Sequence, residues 1–157
     1  MIKGFYWIVA FGTLVGVAST GEREAAPPPA PSMAEGPARE TVLERRGNGH
    51  FYVTALVNGQ PVEFIVDTGA SDIALTVEDA RRVGIPFSES AFTVVGEGAS
   101  GPVRGQVVRI DRVSVDGKTV EHLQGAVLEG STMSLLGQAY LSRISSVQMS
   151  GATMVLR

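Results

Sequence analysis

Cysteine is absent from this chain, and histidine occurs only as His50 and His122. The first absence removes disulfide scaffolds, thiolate zinc sites and cysteine nucleophiles together. The second leaves too few ligands for a histidine-rich metal centre. Neither fixes the compartment, because an exported protein can fold without disulfides. Charge is sparse as well: charged residues make up 18%, the formal net charge is -3, and the Lys and Arg residues are not clustered. That balance lacks the basic footprint of a nucleic-acid binder. Helical periodicity is scarce and there is no internal repeat. No cofactor, no metal and no nucleic-acid partner is expected. What the chain does carry is apolar: 44% hydrophobic residues in 157, enough for one packed domain with appendages rather than two full domains.

Three stretches differ in composition. Residues 1–19 hold an apolar run from Gly4 to about Ser19, with Phe5, Tyr6, Trp7, Ile8, Phe11 and Leu14. A membrane span needs about 17–25 such residues and a signal-peptide core about 7–15, so the run lies on the border. Its length and aromatic cluster predict an uncleaved signal anchor, a single-pass helix in the inner (cytoplasmic) membrane. The alternative is secretion after cleavage near Val17-Ala18-Ser19. Lys3 marks the cytoplasmic side and the far flank (Glu22, Arg23, Glu24) has no positive excess, so the remainder is expected in the periplasm or outside the cell. Gly12 and Gly16 are spaced to let two membrane helices approach, although glycine is common in such helices by chance. Residues 20–47, with Pro27, Pro28, Pro29, Pro31 and Pro37, have little to bury and read as an extended or disordered linker.

Residues 48–157 read as the folded unit, and the signals are those of strands. His50 to Val57 alternates, Asn58-Gly59 supplies the positive-φ pair of a tight hairpin, and Val62 to Val66 returns. Val107 to Val115, Asp116-Gly117 and Thr119 to Leu128 repeat the pattern. Gly96, Gly98, Gly101 and Gly105 around Pro102 predict a mobile glycine-rich loop between the two hairpins. Thr76 is placed to cap a short helix through Val83, with Asp79 at the capping-box position, and a second short helix is expected over 138–143. Ser146 to Ser150 and Thr153 to Leu156 read as closing strands. The expected architecture is an all-β barrel-like domain with one or two short helices.

The chemistry concentrates at Asp67. An apolar strand, Phe64-Ile65-Val66, delivers a carboxylate straight into Thr68-Gly69-Ala70-Ser71. A charge at the end of a buried strand is costly unless it is used. One aspartate is a poor peptide hydrolase. Two carboxylates close enough to share a proton can act as general base and general acid on a water and a scissile amide. The chain has a single Asp-Thr-Gly, so the second aspartate would come from a two-fold partner.

In these features the sequence resembles the retropepsin-like aspartic proteases, in particular exported, membrane-anchored bacterial members with one Asp-Thr-Gly-Ala-Ser motif. The resemblance covers about Gly49 to Leu156 and rests on Val66-Asp67-Thr68-Gly69-Ala70-Ser71 and on Leu135-Leu136-Gly137 downstream. It implies a closed acid-protease barrel, Asp67 as the catalytic residue of a homodimeric endopeptidase, and Thr68 hydrogen-bonding across the dimer. It also implies Leu136 and Gly137 packed beneath the catalytic loop, and a substrate-covering flap near Gly96, Gly98 and Gly101. Two departures stand out. Viral members follow the second glycine with Arg-Asn, the arginine pairing with acidic groups at the dimer interface, whereas this chain has Gln138-Ala139; the flap also lacks an isoleucine-rich tip.

Competing readings are a tight turn in which Asp67 and Thr68 only cap backbone groups, and a membrane-tethered barrel that keeps the fold as a non-catalytic interaction module. A Ser-His-Asp hydrolase assembled from Ser71 or Ser100, His50 and Asp67 lacks the nucleophile-elbow pattern.

Overall fold

The computed structural model describes residues 36–98 and 101–157. The expected anchor at 1–19 and the linker before residue 36 lie outside the described residues. Ten strands, two short α-helices and one 3-10 turn follow in order: β1 (Thr41–Glu44), β2 (Tyr52–Val57), β3 (Gln60–Val66), β4 (Ile73–Thr76), α1 (Val77–Arg82), the 3-10 turn (Glu89–Ala91), β5 (Thr93–Gly98), β6 (Gly101–Val115), β7 (Lys118–Leu128), β8 (Ser134–Leu136), α2 (Gln138–Leu141), β9 (Val147–Ser150) and β10 (Thr153–Leu156). Among the described residues, no helix is long and apolar enough to cross a membrane.

Both predicted hairpins form. Asn58 and Gly59 have φ of 50° and 85°, Asp116 and Gly117 of 47° and 80°, the paired positive values that match a tight turn to strand twist. The main sheet runs β2-β3-β8-β4-β7-β6-β5, and β2 pairs back onto β6 through Leu56↔Ser114 and Val57↔Val113. Six strands therefore close a barrel, with β5 hanging on the outer edge of β6. Two of its seams, β3–β8 and β4–β7, are parallel. Inside lie Phe64, Ile73, Leu75, Ile110, Leu123, Leu136 and Tyr140, all fully buried. The Tyr140 hydroxyl is satisfied by donating to the Lys118 carbonyl at 2.6 Å, as burial of that group requires.

The predicted cap of α1 is present, with a relay. Thr76 Oγ1 accepts the N–H of Asp79 at 3.0 Å. The return bond passes through Ser134, whose hydroxyl accepts the Thr76 N–H at 3.2 Å and donates to Asp79 Oδ2 at 2.6 Å. One fully buried serine of β8 thus completes a capping box and ties the helix to the barrel. The second helix is shorter than expected, closing at Leu141.

Two expectations are corrected. The linker was expected to run to residue 47, but Thr41–Glu44 already forms β1, paired antiparallel to β10 in a three-stranded sheet β1-β10-β9. The segment before it is docked too. The Arg39 N–H donates to the Asp116 carbonyl at 2.9 Å. Lys118 Nζ donates to Thr41 Oγ1 at 2.8 Å and to the Arg39 carbonyl, and the Thr41 hydroxyl donates to Asp116 Oδ2 at 2.5 Å. Burial pushes the Lys118 ammonium below its ordinary pKa, against the pull of the Asp116 and Glu40 carboxylates. A composition average over 20–47 hides this four-residue strand, whose inward residues are Thr41 and Leu43.

The second correction concerns the glycine-rich stretch. It is not a loop but the hairpin of β5 and β6, with Gly96↔Val103, Glu97↔Pro102 and Gly98↔Gly101 in register and a bulge between Val94 and Gly96. Gly105 serves packing rather than mobility, since a Cβ there would sit 2.2 Å from the Val127 carbonyl oxygen.

Candidate active site

Asp67 stands one residue past the end of β3, and its N–H extends the parallel seam by donating to the Leu136 carbonyl at 3.1 Å. The chain then turns. The Ala70 N–H donates to the Asp67 carbonyl at 3.3 Å, and the Gly69 N–H donates to Asp67 Oδ1 at 2.9 Å. A Cβ on Gly69 would lie 3.3 Å from that same oxygen, so a side chain there would crowd the carboxylate. Asp67 is half-buried, Thr68, Gly69 and Ser71 are exposed, and Ala70 is buried.

The floor beneath the loop is the Leu136-Gly137 step. A Cβ on Gly137 would fall 2.1 Å from the Asp72 carbonyl oxygen and 2.6 Å from that of Ala70, both impossible contacts. Only glycine lets the two backbones meet. Just beyond it, the Gln138 N–H donates to the Ala70 carbonyl and the Ala139 N–H to that of Ser71, each at 2.8 Å. Gln138 Nε2 reaches the Thr68 carbonyl at 2.9 Å.

The β5–β6 hairpin faces the same side. Val95 of β5, Val103 of β6 and Met133 pack on a small apolar cluster of Ile65, Ala70, Ala74, Ala126, Leu128 and Leu135. The structure therefore brings together the Asp67 loop, its Leu136-Gly137 support and the hairpin holding Gly96, Gly98 and Gly101. The serine constellation gains no support: His50 is exposed ahead of β2 and Ser100 lies outside the described residues.

Sequence reasoning missed two residues here. Gln138 was noted only for the arginine it lacks, yet its amide grips the loop. Asp72, directly after the motif, is buried. Desolvation pushes its carboxyl above the usual range, partly offset by a side-chain hydrogen bond with Gln124. An acidic residue next to an apolar strand was the available signal. Among the described residues no group of three or more His, Asp or Glu is placed to hold a metal ion.

A closed six-stranded barrel with one Asp-Thr-Gly loop seated on an apolar-Gly step is the architecture of retropepsin-like aspartic proteases. A family model described as aspartyl protease matches residues 53–140, which span the loop and its support, and the chain belongs to that family. It is similar to the retropepsin-like aspartic protease from Rickettsia conorii, with 33% identity and a TM-score of 0.63 over 75% of this chain and 89% of that one. The EIAV protease complexed with the inhibitor HBY-793 shares the fold, with 18% identity and a TM-score of 0.51 over 63% of this chain and 91% of that one. Two curated relatives are uncharacterized proteins. One, in the cobV 5' region of Sinorhizobium sp, is 36% identical over 71% of this chain and 48% of its own length. The other, from Rickettsia prowazekii (strain Madrid E), is 35% identical over 74% and 51%. The chain spans about half the length of the curated relatives it matches.

Proposed function

We propose that this chain is an aspartic endopeptidase that hydrolyses peptide bonds of polypeptide substrates as a homodimer. The observation that carries this reading is the Asp67 carboxylate, half-buried and held by the Gly69 N–H on a loop whose carbonyls are bound from beneath. Such a support keeps a carboxylate in one orientation, which acid–base chemistry needs.

In the dimer, Asp67 and the second copy's equivalent carboxylate lie on the two-fold axis and share one proton. Like charges so close cannot both ionise. The ionised member takes a proton from a bound water as it attacks the scissile carbonyl carbon. The protonated member donates to the carbonyl oxygen, and the proton is then passed to the leaving nitrogen. No covalent enzyme intermediate forms. The apolar run at 1–19, Lys3 and the proline-rich stretch support a tether in the inner membrane with the barrel on the periplasmic side.

The test uses the full chain in membrane vesicles of known orientation, with an unstructured protein offered on either side. Wild type cleaves on the periplasmic face. Asp67→Asn lowers the rate by about a hundredfold to ten-thousandfold while sedimentation shows an unchanged dimer. Cleavage on the cytoplasmic face alone would reverse the topology. Absence of wild-type cleavage from about pH 3 to about pH 7 would leave a tethered, non-catalytic barrel.

A further inference from the structure

Three carbonyls of the Asp67 loop are bound from one short stretch: Ala70 and Ser71 by the main-chain N–H groups of Gln138 and Ala139, and Thr68 by the Gln138 side chain. Any residue but proline supplies the first two bonds. The third needs a side-chain donor, and it acts on a particular peptide group. The Thr68 carbonyl and the Gly69 N–H belong to one planar amide. That amide accepts from Gln138 Nε2 at 2.9 Å on one side and donates to Asp67 Oδ1 at 2.9 Å on the other. Because the amide is rigid and trans, fixing its oxygen fixes the direction of its N–H. Hydrogen bonds in series also polarise one another.

We propose that Gln138 is the positioning residue of this site, setting the Thr68–Gly69 peptide so that its N–H holds the Asp67 carboxylate. The grip lies within one protomer and uses no charge. The loop is therefore preset before a second copy arrives, and its geometry does not depend on ionic strength. The main-chain bonds of Gln138 belong to the turn into α2, and Gly137, the N-cap, supplies no side-chain cap. Its amide is thus available to the loop.

This inference rests on the proposed activity for one of its readouts and not for the other. In the full chain, Gln138→Ala lowers kcat by about ten- to a hundredfold with KM little changed, as for a misplaced catalytic group. Gln138→Glu matches the wild-type shape but donates only when protonated. Its rate relative to wild type is near unity below about pH 4 and falls as pH rises through about 4–5, the ordinary glutamate range. Gln138→Ala shows a constant deficit over the same range. Independently of cleavage, amide exchange at Gly69 speeds up about fivefold in Gln138→Ala, while the Asp67 amide, bound to the Leu136 carbonyl, stays as protected as before. Unchanged Gly69 exchange, or a Gln138→Glu deficit without pH dependence, overturns the assignment. Absence of wild-type cleavage with faster Gly69 exchange in Gln138→Ala would sink the proposed activity and keep the positioning role.

Discussion

The floor beneath the Asp67 loop and the β5–β6 hairpin both depend on glycine, for opposite reasons. At Gly137 the backbone is hemmed in, with a Cβ falling 2.1 Å from the Asp72 carbonyl oxygen. At Gly101 nothing lies within 4 Å, but φ is +109°. In the floor the residue is small so that two chain segments can touch. In the β5–β6 hairpin it is permissive so that the chain can reverse. The contrast separates a part that must not move from a part whose surroundings leave it room.

The strongest way to break this contrast is Gly137→Ala. The obstructing atoms are backbone oxygens of Asp72 and Ala70 in the Asp67 loop, so relief requires moving the loop itself. A loss of about 3 kcal/mol in denaturant unfolding is expected, at the upper end for overpacking. A loss below about 1 kcal/mol would mean that the loop yields and the floor is softer than its contacts imply. Gly101→Ala comes next. Space is free there, and only the backbone conformation resists, at about 1 kcal/mol. Its effect is confined to β5 and β6, where amide exchange accelerates while that of β3 and β8 is unchanged. Equal acceleration in both regions would erase the distinction.

Asp72→Asn probes the floor most gently. Burial raises the Asp72 carboxyl above its ordinary value, so the folded state holds that proton more tightly than the unfolded chain. Wild-type stability is thus favoured below the unfolded value and eroded as pH rises through the folded one. Asparagine keeps an oxygen for Gln124 and removes the charge. The Tm of Asp72→Asn relative to wild type therefore climbs by a few degrees between about pH 3 and about pH 7. A pH-independent difference would show that ionisation at Asp72 costs the fold nothing.

Much of this was legible in the chain. Asn58-Gly59 and Asp116-Gly117 carry their turn geometry in their side chains, and both hairpins follow at the expected register. Thr76 announces a helix start, and Asp67 with Leu136-Gly137 announces the loop and its support. The less legible features are those made by distant pairs. Barrel closure through only two β2–β6 residue pairs and the parallel seams β3–β8 and β4–β7 leave no local signature. The Ser134 relay joins residues 58 and 55 positions apart. Gln138 shows the same limit at a functional position. As a letter it marks a missing arginine, and its partner carbonyl 70 positions away is visible only once the chain is folded. β1 failed for another reason: four strand residues are swamped by the proline-rich composition before them.

That small strand has a consequence for any event that severs the chain. β10 lies between β1 and β9, so both of its edges are occupied. A cut in the exposed 45–50 connection does not by itself free the barrel, because β1 stays bound through its ladder and through Lys118. If β1 then departs, β10 presents a bare row of amides and carbonyls, ready to template on another chain. A cut that leaves this sheet intact falls upstream of Gly36, whose carbonyl oxygen already lies against the Gly117 turn. The folded body thus holds residues 36–44 as part of itself, and β1 keeps one edge of β10 covered.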